Sequence, residues 1–280
     1  MWKLSVFPPS IMSVTAVPVR PCLKWAGGKQ ALAEALLAAF PSKFDRYFEP
    51  FLGAGSALFA LAPRRAVVCD ANEWLIDTYL AIREDPDRVM DVLDRFENTR
   101  EFFLRTRARS PFSLDRFERA AQLIYLNKTC FRGLFRVNRQ GMFNVPYGNY
   151  DRRFYDPENL RAVALALADV EMRHGDFVSG LAGVSRGDFA YLDPPYHKQG
   201  GYADFNRYTR DQFREEDHER LACRCAEMDR DGVSWAVSNS DTAFIRKLYT
   251  GFRVQKIAAR REINLNARKR DQVELLIMNY

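Results

Sequence analysis

One tetrapeptide in the sequence combines residue types suited to holding a planar amine. Asp193, Pro194, Pro195 and Tyr196 follow the apolar run Phe189–Leu192, which predicts a buried strand. Two consecutive prolines make the turn rigid and leave its carbonyl oxygens free. The Asp193 carboxylate and the Pro194 carbonyl can then accept both N–H groups of an amine, while Tyr196 stacks on the attached ring. An ordinary loop at a strand end is the alternative interpretation.

A second motif predicts a turn that closely approaches a ligand. Gly53 and Gly55 lie between a predicted strand and a predicted helix, where glycine allows close backbone approach and the helix start supplies N–H donors. Asp70 ends the next strand, where nucleotide-binding folds place a carboxylate for the ribose hydroxyls. A plain tight turn is the alternative. A dinucleotide site is disfavoured because Leu58 stands at the position of the third glycine.

A third motif lies upstream, in the loop before the first predicted helix. Gly27 and Gly28 make this loop flexible. Trp25 offers a flat apolar face, and Lys29 offers a positive charge for a carboxylate. A surface loop that buries one tryptophan in the core explains the same residues without a ligand.

Positive charge is concentrated in two parts of the chain. Residues 100–153 contain twelve basic and four acidic residues, a net charge of +8, whereas the whole chain carries +6. A second basic stretch, 246–270, contains Glu262 as its one acidic residue. Such surfaces suit phosphate backbones, and solvated helix faces are the alternative.

Composition and cysteine spacing exclude several classes of protein. The hydrophobic fraction of 47% is sufficient for a large core. Five cysteines without a Cys-x-x-Cys pair predict neither a disulfide framework nor a zinc site, and no metal is expected. The sequence has no apolar run long enough for a membrane helix and no signal-peptide pattern, so we expect a cytoplasmic protein that does not bind membranes.

Helix and strand patterns alternate along the chain and are interrupted once. This order predicts an α/β fold with a mostly parallel sheet. The predicted catalytic domain comprises residues 21–76 and 158–280, with an inserted helical module at 77–157 and a flexible leader at 1–20. Predicted helices cover 32–40, 56–61, 73–83, 86–96, 114–126, 162–168, 211–230 and 241–249, and predicted strands cover 47–48, 67–70, 170–172, 189–192, 233–237, 252–257 and 273–278.

Taken together, the three motifs resemble those of the Dam family, the D12 class of adenine-specific DNA methyltransferases. They occur in the order Lys24–Lys29, Glu49–Gly55 and Asp193–Tyr196, and the insertion separates the last two. This order is similar to the α-type arrangement of amino-methyltransferases, and the similarity extends over residues 21–280. The resemblance implies a Rossmann-like S-adenosylmethionine-dependent methyltransferase sheet with an inserted helical DNA-recognition domain that contains a β-hairpin.

The resemblance also implies roles for individual residues. Asp193, Pro194, Pro195 and Tyr196 would form the catalytic motif that methylates N6 of a flipped adenine. The residues that it implies for binding the donor S-adenosylmethionine are Trp25, Lys29, Phe51, Gly53, Gly55, Asp70, Asp176 and Asp193.

The segments 125–138 and 141–148 resemble the DNA-reading hairpin of the family. The resemblance implies DNA contacts by Lys24, Lys128, Arg132, Leu134, Arg136, Asn138, Arg139 and Pro146. Arg136 would contact a guanine edge, and Leu134 and Pro146 would touch a thymine methyl, which suits a GATC-related target. Arg132 departs from the pattern because many members carry Asn there, so the recognition sequence stays open.

The resulting hypothesis is site-specific methylation of adenine N6 in double-stranded DNA, by a monomer or weak dimer, with a cognate restriction endonuclease acting separately. Methylation of RNA or of a protein side-chain amide is one alternative, because those chemistries also use Pro-Pro-Tyr motifs. A catalytically silent DNA-binding module is another, and it would require a broken catalytic motif.

Overall fold

Seven strands form one sheet in the part of the chain that this computed structural model describes, residues 19–25, 27–138, 140–197, 213–260 and 271–280. The strands are β1 Tyr47–Glu49, β2 Ala66–Asp70, β3 Val170–His174, β4 Phe189–Leu192, β5 Ser234–Ser240, β6 Arg253–Arg260 and β7 Asp271–Met278. Their order across the sheet is β3-β2-β1-β4-β5-β7-β6. The first five are mutually parallel, and β7 runs antiparallel between β5 and β6.

The order of the strands makes the β1–β4 boundary a topological switch point. From β1 the chain proceeds to β2 and β3 on one side, and then returns to β4 and β5 on the other side. Ligands of open parallel sheets bind outside the carboxyl ends of the strands at such a point. The segments that follow β1 and β4 are therefore in the position where a ligand is expected.

Helices are capped by residues that the local sequence supplies. Asn72 accepts a hydrogen bond from the Leu75 N–H, and Asp115 accepts from two N–H groups of the first turn that follows it. The α-helices within the described ranges are α1 Ala33–Ala39, α2 Ser56–Leu61, α3 Glu73–Glu84, α4 Pro86–Leu93, α5 Arg100–Ala108, α6 Arg116–Thr129, α7 Pro157–Ala166, α8 Phe177–Gly180, α9 Glu215–Arg230 and α10 Ala243–Leu248.

The sheet is buried on both faces. Alternate side chains of each strand enter two separate hydrophobic cores: Tyr47 and Tyr191 belong to one, and Phe48 and Ala190 to the other. Helices α1 to α7 cover the first face, and α8 to α10 cover the second. The predicted α/β fold with a mostly parallel, Rossmann-like sheet is confirmed.

The predicted strands are confirmed, and most helix predictions differ from the structure only at their ends. Helix α5 was not predicted because four of its nine residues are charged, which hides the apolar periodicity. Helix α8 was not predicted either, because one turn is too short to show a helical periodicity. The predicted helix at 211–230 begins at Glu215 in the described residues.

The segment predicted as an insertion shares its core with the sheet. Helix α3 continues across the predicted boundary at residues 76 and 77 and packs against both α6 and α7. Within the segment, the predicted hairpin consists of two isolated antiparallel bridges, Cys130↔Tyr147 and Val137↔Phe143, and no continuous ladder connects them. The assignment of 77–157 as a separate recognition domain stays a prediction.

Most of the predicted leader, residues 1–18, lies outside the described residues. Arg20, at its end, donates a hydrogen bond to Asp156 and exchanges backbone hydrogen bonds with the Asn159 carboxamide. No helix in the described ranges is both long and apolar enough to span a lipid bilayer.

Candidate active site

The glycine turn and the Asp-Pro-Pro-Tyr tetrapeptide are brought together by neighbouring parallel strands. Phe48 of β1 is in register with Ala190 of β4. Both strands therefore end at the same edge of the sheet, where β1 leads into Gly53 and β4 leads into Asp193. Gly53 and Asp193 are 140 positions apart in the sequence, which says nothing about their distance in space. The pairing of β1 with β4 brings the two motifs together.

Both carboxylate oxygens of Asp193 have partners in the protein. Lys29 Nζ lies 2.8 Å from Oδ2, and the Ser238 hydroxyl donates to Oδ1 at 2.6 Å. Behind Ser238, the buried Tyr191 hydroxyl lies 3.0 Å from Ser238 Oγ. Because Ser238 donates its one hydroxyl hydrogen to Asp193, the Tyr191 hydroxyl is the donor in this pair, and burial raises the pKa of Tyr191 well above its usual value. The carboxylate is thus fixed in orientation from both sides.

The ammonium group of Lys29 is held in the site by the protein itself. Lys29 is 5% exposed, and its Nζ donates to the Gly27 carbonyl at 2.7 Å in addition to its contact with Asp193. It also lies 4.0 Å from a carboxylate oxygen of Glu274 and 4.8 Å from the centre of the Tyr196 ring. The predicted partner of Lys29 was a ligand carboxylate, whereas in the structure its partner is Asp193.

Tyr196 and Pro194 complete the tetrapeptide. The Tyr196 hydroxyl donates to Glu274 Oε2 at 2.8 Å. In the part of the chain that the structure describes, no group donates a hydrogen bond to the Pro194 carbonyl, as the sequence predicted for a double-proline turn. The sequence analysis missed Ser238 and Glu274 as site residues. The sequence offered little indication of their role, because each is a polar residue in a predicted strand and the order of the strands in the sheet was unknown.

Asp70 and Gly53 form the second half of the site. One Asp70 oxygen accepts the Gly53 N–H and the other accepts the Asn72 N–H, both at 2.9 Å. Burial raises the pKa of Asp70, although the two amide groups oppose this shift. Gly53 has a φ of 51°, and a Cβ atom there would lie 2.9 Å from the Trp25 ring. Both the conformation and the close packing therefore require glycine.

The remaining residues predicted to bind the donor surround this turn. Gly55, with a φ of 69°, is the residue preceding α2. Trp25 stacks on Phe135 with ring centres 4.9 Å apart, so one of its faces is already covered. Phe51 stacks on Phe177 at 5.8 Å.

Asp176 caps α8 and is half-exposed. Its carboxylate accepts the Ser179 N–H at 3.0 Å and forms an ion pair with Arg220 at 3.3 Å. Burial raises the pKa of Asp176, but the hydrogen bonds from Ser179 and the charge of Arg220 outweigh it and lower the pKa. Asp176 is therefore ionised at neutral pH and is held by the protein.

Glu49, the last residue of β1, is a buried acid behind the glycine turn. Burial raises its pKa to about 8, the Tyr47 hydroxyl that donates to it at 2.9 Å opposes this shift, and the charges of Asp193 and Asp70 add to it. The three carboxyl groups thus lie within electrostatic range of one another. Glu49 is largely neutral at neutral pH.

This shift predicts a specific dependence of stability on pH. Glu49 has a pKa of about 8 in the folded chain against 4.5 in the reference state, so the folded chain binds more protons between these values. The free energy of unfolding should fall as the pH rises through this window, and Glu49→Gln should remove that part of the decline. Urea unfolding of both proteins at about pH 5 and about pH 8.5 measures it. Equal declines in the two proteins would contradict the prediction.

The segment predicted to contact DNA has alternating inward and outward side chains. Phe135, Val137, Phe143 and Val145 are buried, whereas Leu134, Arg136, Asn138 and Asn144 are partly exposed, and Pro146 is exposed. This alternation is that of extended backbone. It places four of the predicted DNA contacts on the outward side.

Arg136 has a partner that the sequence analysis did not identify. Its Nε donates to the Asn144 side-chain oxygen at 2.7 Å, and its guanidinium also reaches the Asn144 carbonyl at 3.3 Å. Asn138 has a role in the turn, because its side-chain oxygen accepts the N–H groups of Gln140 and Met142. Asn144 therefore orients Arg136, and Asn138 stabilises the turn between the two extended segments that contain Arg136 and Asn144.

The other predicted DNA contacts occupy different environments. Arg132 has a φ of 60° and its guanidinium lies 5.3 Å from the Phe131 ring centre. Lys24 is exposed and its side chain packs on Gly133. Lys128 lies in a cavity with Arg20 and Cys22 rather than on the outward side, and burial lowers its pKa. Arg139 lies outside the described residues.

Several arginines of the 100–153 segment have structural partners. Arg119 pairs with Asp77, and Arg116 pairs with Glu84 at 2.8 Å. Arg152 donates to the Lys128 carbonyl. Part of the positive charge of the segment therefore attaches α6 to α3, a use that neither the phosphate-binding surface nor the solvated helix faces of the sequence analysis included.

Comparison with known proteins agrees with this geometry. A model of the D12 class of N6 adenine-specific DNA methyltransferases matches residues 25–263. The type II methyltransferase M.MjaIII of Methanocaldococcus jannaschii is 37% identical over 287 aligned positions, which cover 94% of this chain and 99% of that protein. The DNA adenine methylase of Haemophilus influenzae is 31% identical, with 92% of each chain covered.

The matched region includes the Lys29 loop, the glycine turn, the DNA-contact segment and the Asp-Pro-Pro-Tyr motif. The arrangement of these elements around the ends of β1 and β4, and a match over most of its length, lead to one conclusion. The chain belongs to the D12 class of N6 adenine-specific DNA methyltransferases.

Proposed function

We propose that this chain transfers a methyl group from S-adenosylmethionine to N6 of a flipped adenine at a specific site in duplex DNA. The observation that carries the proposal is the meeting of Gly53 and Asp193 at the switch point of the sheet. One motif suits a nucleoside-like donor and the other suits a planar amine, and methyl transfer requires both ligands to share one site.

The residues present fit S-adenosylmethionine. Asp70 is held by two backbone N–H groups, and each of its oxygens retains a lone pair for a ribose hydroxyl. The φ of 51° and the absent Cβ at Gly53 leave the turn open to close approach. Phe51 and Gly55 would line the same pocket, with Trp25 beside the turn. The bound donor supplies a methyl group already activated as a sulfonium, so the chain needs no covalent nucleophile.

The tetrapeptide would hold the target base. Asp193 and the Pro194 carbonyl would accept the two N–H groups of the adenine amine, which aims the nitrogen lone pair at the methyl group. Lys29 and Ser238 keep the carboxylate in one orientation, and each oxygen retains a further lone pair for the amine. Tyr196 would stack on a base that has left the duplex.

A methyl-transfer assay tests the proposal. Tritiated S-adenosylmethionine is incubated with the protein and duplexes of varied sequence, and the product is digested to nucleosides. Label on N6-methyladenine in a subset of duplexes is the expected result. Label found only on cytosine N4, on RNA or on protein would refute the substrate assignment, and cofactor-dependent DNA binding without turnover would favour the silent binding module.

Substitution of Asp70 should weaken donor binding without changing the base site. Asp70→Asn retains one oxygen but loses the negative charge, so we expect the Kd for S-adenosylmethionine to rise about tenfold, as for loss of one charge-assisted hydrogen bond. Isothermal titration calorimetry measures the change, and Asp87→Asn, in an exposed pair with Arg161, is the control. An unchanged Kd would remove Asp70 from the donor site.

The finer points of the proposal concern the target and the assembly. A GATC-related target is supported by Arg136, Leu134 and Pro146 lying on one side. Arg132, in a left-handed conformation that Asn tolerates better than Arg, is the position where the target is expected to differ. Three further points stay predictions: a separate cognate nuclease, a monomeric or weakly dimeric state on DNA, and a cytoplasmic location. Size-exclusion chromatography of the protein with a DNA duplex tests the oligomeric state.

A further inference from the structure

Glu274, on the last strand of the sheet, is a buried acid next to the catalytic motif. It is 7% exposed and is followed along β7 by four buried apolar residues. It pairs with Ser240 of β5 and Ile257 of β6 in the antiparallel ladder. A buried carboxylate in such surroundings is costly unless hydrogen bonds and opposite charge compensate it.

Two residues of the site, Tyr196 and Lys29, provide part of this compensation. Glu274 Oε2 accepts the Tyr196 hydroxyl at 2.8 Å, and the same oxygen lies 4.0 Å from Lys29 Nζ. Lys29 Nζ is 2.8 Å from Asp193 Oδ2 and 4.8 Å from the Tyr196 ring centre. One ammonium group is therefore shared by two carboxylates, and the tyrosine that would stack on the base is attached to the second carboxylate.

We propose that Glu274 is a positioning residue of the methyl-transfer site, which fixes Tyr196 through its hydroxyl and gives the Lys29–Asp193 pair a second negative charge. The inference rests on the proposed function. The Glu274 carboxylate adds one negative charge to those of Lys29 and Asp193, and Glu274→Gln would remove that charge. Glu49 adds no charge at neutral pH, because its pKa is about 8.

The charge of Glu274 has a consequence for the two forms of the cofactor. S-adenosylmethionine carries a positive sulfonium, whereas S-adenosylhomocysteine lacks the transferred methyl group and has a neutral sulfur. Each negative charge near the sulfur, in a site of low dielectric, favours the sulfonium form over the neutral form, whatever the other charges of the site are. Glu274 should therefore contribute to the preference for donor over product, whereas a residue with only a structural role would affect both ligands equally.

The test compares Glu274→Gln, which retains an oxygen for the Tyr196 hydroxyl but loses the charge, with Glu274→Asp, which retains the charge but is shorter by one methylene. For Glu274→Gln we expect the affinity for S-adenosylmethionine to fall about fivefold or more, and that for S-adenosylhomocysteine to change less than about twofold. For Glu274→Asp we expect the ligand preference of the wild type but a kcat about tenfold lower, because Tyr196 loses its acceptor.

Glu171→Gln is the matched control, since Glu171 lies on the edge strand β3, where it pairs with Arg173. Calorimetry gives both ligand affinities, and thermal unfolding confirms that each variant is folded. In folded Glu274→Gln, an unchanged ratio of the two affinities would overturn the charge role, whether both affinities stay at the wild-type value or both fall equally; an equal fall would make Glu274 merely structural. If Glu274→Gln does not fold, Tyr196→Phe tests the hydrogen bond from its other end, and a wild-type kcat in that variant overturns the positioning role.

Failure of this inference is distinguishable from failure of the proposed function. A wild-type protein that binds neither ligand and transfers no methyl group to DNA would refute the proposed function. A wild-type protein that does both, together with a Glu274→Gln variant that has the same kcat and the same ligand ratio, would refute the role of Glu274 alone.

Discussion

Replacing Asp193 by asparagine is expected to lower kcat by at least about 10³-fold, because the variant loses the charge that stabilises the amine as it becomes positive in the transition state. The carboxamide introduced by this substitution would also direct one N–H group toward either Lys29 or the target amine, both of which are donors. Affinity for duplex DNA should persist, since the predicted DNA contacts lie on a different segment. Single-turnover methylation and a DNA-binding titration measure the two effects separately.

The same substitution should also affect stability, and this effect must be separated from catalysis. Removing one partner of a buried ion pair leaves the other charge uncompensated, at a cost of about 3–5 kcal/mol in unfavourable cases. Glu274, 4.0 Å from Lys29, remains to offset part of this cost. Asp188→Asn is the matched control, because Asp188 is a buried acid paired with Arg46 at the start of β4. Asp188→Asn should lower the free energy of unfolding but retain the kcat per folded molecule. An Asp193→Asn variant with wild-type kcat would refute the catalytic role of Asp193.

Arg136→Ala is expected to reduce discrimination between the cognate site and sites with one altered base pair by about 1–3 kcal/mol. The structure gives a physical reason for a specific contact: Asn144 holds the guanidinium in one orientation, through bonds to its Nε and to one terminal nitrogen. A planar group fixed in this way can present its remaining donors to a guanine edge. Methylation rates on a set of single-mismatch duplexes give the discrimination.

Two further variants sharpen this test. Asn144→Ala removes the support of Arg136 but leaves its charge, and should therefore reduce discrimination with little change in the salt dependence of binding. Arg95→Ala, at an exposed position after α4, is the control for loss of one positive charge. If Arg136→Ala weakens binding equally on all sequences, Arg136 is a phosphate contact and the base assignment is wrong.

Local chemistry is the part of this site that could be predicted without the structure. The double proline of the tetrapeptide and the glycines at positive φ act through their own backbone, and Asp70, at the end of β2, accepts the N–H of Asn72, two positions away. The same holds for helix caps such as Asn72 and Asp115. Predictions for such residues depend on spacing within a few positions, which the sequence contains in full.

Partners of charged residues were harder to predict, because they come from distant parts of the chain. Lys29 was expected to meet a ligand carboxylate, and its partner is Asp193, 164 positions away. Arg136 was expected to contact a guanine edge, and the structure adds a partner within the protein, the Asn144 carboxamide. Helix α5 remained unpredicted because its charged residues obscure the periodicity that would have indicated it.

Residue types and short spacings were sufficient to predict the kind of chemistry, the order of the motifs and the α/β class of the fold. The tertiary structure alone decided which side chains surround Asp193. Ser238 and Glu274 reach the catalytic motif from β5 and β7 because of the order of the strands across the sheet. That order depends on how helices and strands pack over two cores, a property of the whole chain that no local pattern specifies.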